Sequence, residues 1–383
     1  MKKRLAALGL ALTFLLPLCA VHARAAEPEV SAPSAILMEA ATGTVLYEKN
    51  AHERLAPASV TKIMTLLLVM EALDSGRIGW DDTVTASAAA AAKGGSQIYL
   101  EENEQLPLEE MLKSVVVSSA NDCATALAEH IAGSESAFVQ MMNERAAQLG
   151  MTDTHFVNCT GLDDDPDAAE HLTTAYDIAL MSRELLKHEE IKSYTTIWMD
   201  TVRNGQFGLS NTNKLVRFYD GTTGLKTGYT SAAGHCLSAS AKRGGMELIA
   251  VVLHCDSSPH RFESAKALLN YGFANYALLT PQPDSPIGAV PVVLGTQESV
   301  TPVLQTDAPV LVDKALAAGA QSEVQLAEQV TAPVEQGQTL GMLTVTSGGQ
   351  TLAEIPLVAP EPIPALTWWD VFVQMLKTIC IGG

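Results

Sequence analysis

The 383 residues contain no internal stretch of about 20 apolar residues, which excludes a multi-span membrane protein. Positive charge is scarce. There are 24 Lys and Arg against 43 Asp and Glu, a formal net charge of −19. The basic face that phosphates require is missing, so no nucleic-acid partner is expected. Cysteine is sparse, six residues in all, and no C-x2-C pair suggests zinc. H-E-x-x-H and EF-hand patterns are absent, and His171, His235, His254 and His260 share no ligand spacing. Neither a metal nor an organic cofactor is implied. What is present is an ordinary folded composition, 47% hydrophobic and 17% charged, with length for about two domains.

The two ends carry signals of their own. Residues 1–25 read as a secretory signal peptide: Lys2, Lys3 and Arg4 start it, Leu5 to Leu18 form the apolar run, and Ala23-Arg24-Ala25 offers a small-x-small cleavage site. Export places the work outside the cytoplasm. Five cysteines remain after cleavage, Cys123, Cys159, Cys236, Cys255 and Cys380. The odd count argues against a full disulfide framework, and most read as buried small apolar groups. At the other end, residues 361–383 form an amphipathic tail. Asp370, Gln374 and Lys377 recur at helical spacing and leave a wide apolar face around Trp368, Trp369, Phe372 and Leu376. The helix is too short to span a bilayer and is expected to lie in the interface of a membrane surface.

Between the ends, Ser34 to Met38 and Thr44 to Tyr47 flank Ala41-Thr42-Gly43 as a hairpin. A buried helix is expected from Ser59 to about Asp74, followed by helices over 108–118, 122–132 and Thr173 to Lys187, the last capped by Thr173. Leu237–Ala241 and Leu248–Leu253 flank Arg243-Gly244-Gly245 as a second hairpin, and a closing helix spans Ser264 to Asn275. Composition shifts near Thr280, where Pro281, Pro283 and Pro286 mark a linker. Residues 287–358 hold no His, Cys, Tyr, Trp, Phe or Arg, so they read as a small all-β module with few catalytic side chains. The expected layout is a signal peptide at 1–25, a catalytic domain at 26–278, a β-rich domain at 279–360 and the tail at 361–383.

Three motifs carry chemistry: Ser59-Val60-Thr61-Lys62, Ser119-Ala120-Asn121 and Lys226-Thr227-Gly228. S-x-x-K alone is a weak signal. Its weight comes from opening a buried helix, with S-x-N between two helices and K-T-G before a strand pair. A helix puts residues i and i+3 on one face, so Lys62 can reach the Ser59 hydroxyl. Serine needs an adjacent base to act as a nucleophile. A lysine serves only when burial or a neighbouring cation lowers its pKa; Val60, Ile63 and Met64 supply apolar surroundings, and Lys226 could be the cation. Ser119 could relay a proton to a leaving amine, and Asn121 could bind a substrate amide and orient Lys62. Lys226 and Thr227 can bind a carboxylate, and Gly228 lets substrate lie close along the strand.

The trio, in this order, resembles that of the penicillin-recognising serine enzymes. Ala35-Ile-Leu-Met-Glu-Ala-Ala-Thr-Gly43, Pro57-Ala-Ser-Val-Thr-Lys-Ile-Met64, Ser119-Ala-Asn-Asp122, Thr173-Thr-Ala-Tyr-Asp177, Asn211-Thr-Asn-Lys214 and Gly224-Leu-Lys-Thr-Gly-Tyr-Thr230 extend the likeness. The chain resembles a serine-type D-Ala-D-Ala carboxypeptidase, a low-molecular-mass penicillin-binding protein. The resemblance implies an α+β fold of beta-lactamase/transpeptidase type, an antiparallel sheet flanked by helices beside a helical lobe. It implies Ser59, Lys62 and Ser119 as catalytic residues and Asn121, Lys226, Thr227, Gly228, Tyr229 and Arg261 as substrate-binding residues. The backbone N–H groups of Ser59 and Tyr229 would form the oxyanion hole, and Arg261 would help hold the terminal carboxylate. Partners would be peptidoglycan stem peptides, with beta-lactams as covalent inhibitors. Ala120 replaces the glycine often found in S-x-N. Two competing readings are a class A beta-lactamase, for which residues 160–175 offer no convincing deacylating glutamate, and a non-catalytic wall-binding protein, against which the intact Ser59, Lys62 and Lys226 argue.

Overall fold

The computed structural model describes residues 26–164 and 166–381. The expected signal peptide lies outside the described residues. Five antiparallel strands form the central sheet, in the order Val45–Lys49, Ser34–Glu39, Met246–Cys255, Gly234–Arg243 and Thr222–Thr230. The central strand Met246–Cys255 is buried along almost its whole length, which explains its unbroken apolar run: a strand covered on both faces has no polar alternation. Gly244 and Gly245 both take positive φ, +56° and +83°, the backbone that a two-residue hairpin turn demands.

Helices cover both faces. On one side lies Ser258–Asn275, with Ala265, Leu268 and Leu269 against Leu37, Leu237, Ala239 and Leu248. This helix starts six residues before the expected Ser264. Ser257 caps it by accepting from His260 N, and Pro259 sits in its first turn, a pairing of cap and N-terminal proline that marks a helix start. On the other side lie Lys62–Asp74 and Ala175–Leu185, which share a core with Leu108–Ser118, Asn121–Ala132 and Glu135–Gln148. The helix Lys62–Asp74 is buried from Lys62 through Met70, so it is apolar all round rather than amphipathic. The cap of Ala175–Leu185 is Thr174, not Thr173: Thr174 Oγ1 accepts from Asp177 N at 3.0 Å.

The second module is β-rich, with a four-stranded sheet (Val303–Leu304, Gln350–Val358, Thr339–Ser347, Gln321–Leu326) and a three-stranded one (Ser299–Val300, Val290–Val293, Val330–Thr331). The strand Tyr276–Leu279 follows directly on the helix Ser258–Asn275 and pairs with Val310–Asp313 of the second module. Lys314 Nζ adds a hydrogen bond to Phe273 O at 2.8 Å. The last described element is the helix Trp368–Ile381, with Trp368 76% and Trp369 62% exposed and Phe372 stacked against both rings. Asp370 closes its first turn by accepting from Thr367 N at 2.9 Å. No helix among the described residues is long and apolar enough to cross a membrane.

Candidate active site

Ser59 sits on a single 3-10 turn, Ala58–Thr61, that runs into the helix beginning at Lys62. The turn forces Ala58 to φ +48°, a conformation costly for a residue with a β-carbon. Its neighbours hold it there. Thr61 Oγ1 donates to Ala58 O at 2.8 Å and meets His171 Nε2 at 2.8 Å. His171 Nδ1 accepts from Val157 N at 3.1 Å, so Nε2 carries the ring proton and donates to Thr61. Gly161 presses on the same turn: a β-carbon there would fall 1.8 Å from Ala58 O.

Lys62 is fully buried. Its Nζ donates to Ser59 Oγ at 2.9 Å and to Thr160 O at 2.8 Å. The Thr160 carbonyl is fixed by a tight turn in which Asn158 Oδ1 accepts from Thr160 N, Thr160 Oγ1 and Gly161 N at 3.1, 3.1 and 2.7 Å. Burial pulls the Lys62 pKa down to about 7, against the opposing pull of Cys159 and Asp122. A large neutral fraction is therefore present near neutral pH, as a general base requires.

Ser119 and Asn121 enter from the helical lobe. Ser119 ends the helix Leu108–Ser118 in a left-handed conformation, φ +64°, a place that glycine fills more cheaply. Its Oγ and Asn121 Oδ1 are buried without a hydrogen-bond partner among the described residues. Asn121 Nδ2 donates to Gly94 O at 2.7 Å, so the expected bond from Asn121 to Lys62 is not formed, and Thr160 O takes that place. The neighbouring Asp122 carboxylate accepts from Ile98 N and Leu100 N at 3.1 and 3.0 Å and ties the 94–100 loop down.

The opposite wall is the edge strand Thr222–Thr230. Lys226 is buried and donates to Thr227 O at 2.9 Å; burial first, then the charges of Lys62 and Arg261, push its pKa well down. Thr227 Oγ1 donates to Thr212 Oγ1 at 2.7 Å. At Gly228 a β-carbon would fall 2.7 Å from Pro57 O and 3.1 Å from Ser59 N, so the strand runs against the backbone of the serine turn. Arg261 reaches this strand from the helix behind it, Nη1 donating to Gly228 O at 3.0 Å, with its Nε buried and without a partner among the described residues. The Tyr229 side chain, 58% exposed, stacks on His235 with ring centroids 4.4 Å apart.

The structure thus brings Ser59, Lys62, Lys226, Thr227 and Gly228 around one cleft, with Ser119 and Asn121 presenting unsatisfied oxygens from the helical lobe and Arg261 backing the edge strand. Sequence reasoning missed Asn158 and Thr160, which hold the lysine; His171, which braces the serine turn; and Thr212. An N-x-T-G turn signal existed at Asn158, but nothing local indicated which side chain its carbonyl would meet. Among the described residues no cluster of His, Cys, Asp and Glu could hold a metal ion.

Comparison with known proteins identifies the family. Residues 21–257 match the family model described as D-alanyl-D-alanine carboxypeptidase, and residues 280–365 match that of the penicillin-binding protein 5 C-terminal domain. The chain is 42% identical over 343 residues to the D-alanyl-D-alanine carboxypeptidase DacF of Bacillus subtilis, covering 88% of this chain and 87% of that one. Penicillin-binding protein 5 of Haemophilus influenzae superposes with a TM-score of 0.75 at 30% identity, covering 88% of this chain and 99% of that one. Penicillin-binding protein D2 of Listeria monocytogenes, solved in its ampicillin-bound form, superposes with a TM-score of 0.59 at 31% identity over 65% of this chain and 100% of that one. A transpeptidase-like α+β domain in which a serine is bonded to a buried lysine, followed by a β-rich module, places this chain in the D-alanyl-D-alanine carboxypeptidase family of penicillin-binding proteins.

Proposed function

We propose that the chain is an exported serine carboxypeptidase that removes the terminal D-Ala from peptidoglycan stem pentapeptides. The reading rests above all on the fully buried Lys62 Nζ, 2.9 Å from Ser59 Oγ and with a pKa near 7. Neutral Lys62 takes the Ser59 proton as Oγ attacks the carbonyl of the penultimate D-Ala. The oxyanion is received by the backbone N–H groups of Ser59 and Tyr229. Ser119 relays the proton that Lys62 took to the departing amine, so Lys62 is neutral again; the terminal D-Ala leaves, and an ester remains on Ser59. Water, deprotonated by Lys62, hydrolyses that ester and restores the enzyme.

Asn121 holds the substrate amide, and Lys226, Thr227 and Arg261 line the cationic end that recognises the terminal carboxylate. A carboxylate arriving beside Lys226 restores the charge that burial opposes. Beta-lactams present a strained amide and a carboxylate to the same groups and acylate Ser59. The helix Trp368–Ile381, with its exposed Trp pair, rests on the extracytoplasmic membrane surface. Release of D-Ala from acyl-Lys-D-Ala-D-Ala, with labelling by a fluorescent penicillin, tests the reading. Wild type does both and Ser59→Ala does neither; release retained in Ser59→Ala overturns it.

A further inference from the structure

Thr227 has a single hydroxyl proton, and it is donated to Thr212 Oγ1 at 2.7 Å. While that bond stands, Thr227 cannot donate to a carboxylate. Thr212, by contrast, accepts there and keeps its own proton, for which the described residues provide no acceptor. Its place is tightly set. Thr212 N donates to Val117 O at 3.2 Å, two residues before Ser119. The asparagines on either side are buried and bonded: Asn211 Nδ2 to Ile197 O at 2.7 Å, Asn213 Nδ2 to Gly224 O at 3.0 Å, and Asn213 N to Asn211 Oδ1 at 2.8 Å. Thr212 itself is only half-buried, between the Ser119 corner and the Lys226-Thr227 edge.

We propose that Thr212 is a further substrate-binding residue: its hydroxyl donates to the carboxylate of the terminal residue, and Thr227 stands behind it as the donor that polarises it. A hydroxyl that already accepts a hydrogen bond is a stronger donor, and a bond to a charged oxygen is among the stronger ones available to a neutral group. The carboxylate is thus met by a two-hydroxyl chain rather than by Thr227 alone. This inference rests on the carboxypeptidase reading above.

The test compares wild type, Thr212→Val and Thr212→Ser on acyl-Lys-D-Ala-D-Ala and on the matching acyl-Lys-D-Ala methyl ester, which lacks the carboxylate. For Thr212→Val the ratio of kcat/KM on peptide to that on ester falls roughly ten- to a hundredfold, mostly through KM, and Thr212→Ser restores it. A Thr212→Val ratio within twofold of wild type, whether both activities persist or both fall together, overturns the proposal and leaves Thr212 a packing residue. Should Thr212→Val melt much earlier than wild type, the same ratio measured on Thr212→Ala decides. Wild type that releases no D-Ala overturns the carboxypeptidase reading, and this inference with it; wild-type release with an unmoved ratio overturns this inference alone.

Discussion

Gly228 lies so close to Ser59 that a β-carbon on it would stand 3.1 Å from the Ser59 backbone nitrogen and 2.7 Å from Pro57 O. Both neighbours are backbone atoms, which cannot swing aside like a side-chain tip. Glycine at this position keeps the edge strand against the serine turn, and any larger residue must push the two apart.

Gly228→Ala is therefore expected to keep its fold and lose chemistry. Separating the two backbones misplaces the oxyanion donors, and losing one such donor costs about 10²–10³ in rate. The second-order rate of acylation by benzylpenicillin should fall by at least that lower figure, with the melting temperature within a few degrees of wild type. An unchanged acylation rate would show that the close approach does not matter.

The buried position of Lys62 predicts a pH profile. Only the neutral amine can accept the Ser59 proton, and burial brings its pKa to about 7. In the free enzyme kcat/KM for D-Ala release should rise through a limb centred near pH 7 and level off above it. Lys62→Arg should abolish the limb with the activity, because a guanidinium stays protonated throughout. A profile flat from pH 5.5 to 8.5 in wild type would contradict the assigned base.

The same burial works against stability. Unfolded Lys62 regains an ordinary pKa near 10.4, so between about pH 7 and 10 the unfolded chain binds more protons than the folded one. Its contribution therefore makes the fold more stable as pH rises across that window, and most costly below it. Lys62→Met is expected to raise stability at pH 7 by up to about 4 kcal/mol, with the gain shrinking toward pH 10. Urea denaturation of both proteins at pH 7 and pH 9.5 measures it.

Replacing Trp368 and Trp369 together by Ser removes the most exposed aromatic area of the terminal helix. Co-sedimentation with phosphatidylcholine vesicles should drop to background, while D-Ala release from a soluble peptide stays within twofold of wild type. Undiminished sedimentation would mean that the Trp pair does not hold the chain to lipid.

The three motifs were legible because each is local: spacing alone puts Lys62 one turn after Ser59, and a strand signal follows Lys226. The central strands were legible from the apolar run at Leu248–Leu253 and the glycine pair after Arg243. What escaped was non-local. The Asn158 turn aims a carbonyl at Lys62 from 98 residues away, and His171 braces a turn 110 residues before it. No window of sequence contains both partners. The early start of the helix Ser258–Asn275 was missed for a different reason. Its first turn carries Pro259, His260 and Arg261, which break the apolar spacing, although Ser257 and Pro259 together form a start signal. Asn121 was assigned to Lys62 because both belong to the motif set; its amide instead turns to Gly94 O.

The ladder between Tyr276–Leu279 and Val310–Asp313 makes the two modules dependent neighbours rather than beads on a string. A fragment cut just after residue 279 would carry a strand stripped of its hydrogen-bonding mate, with Leu278 deprived of Leu311. Such a fragment would invite sticky end-to-end association between copies, and removing the β-rich module is expected to be felt first as poor solubility and only afterwards as altered catalysis.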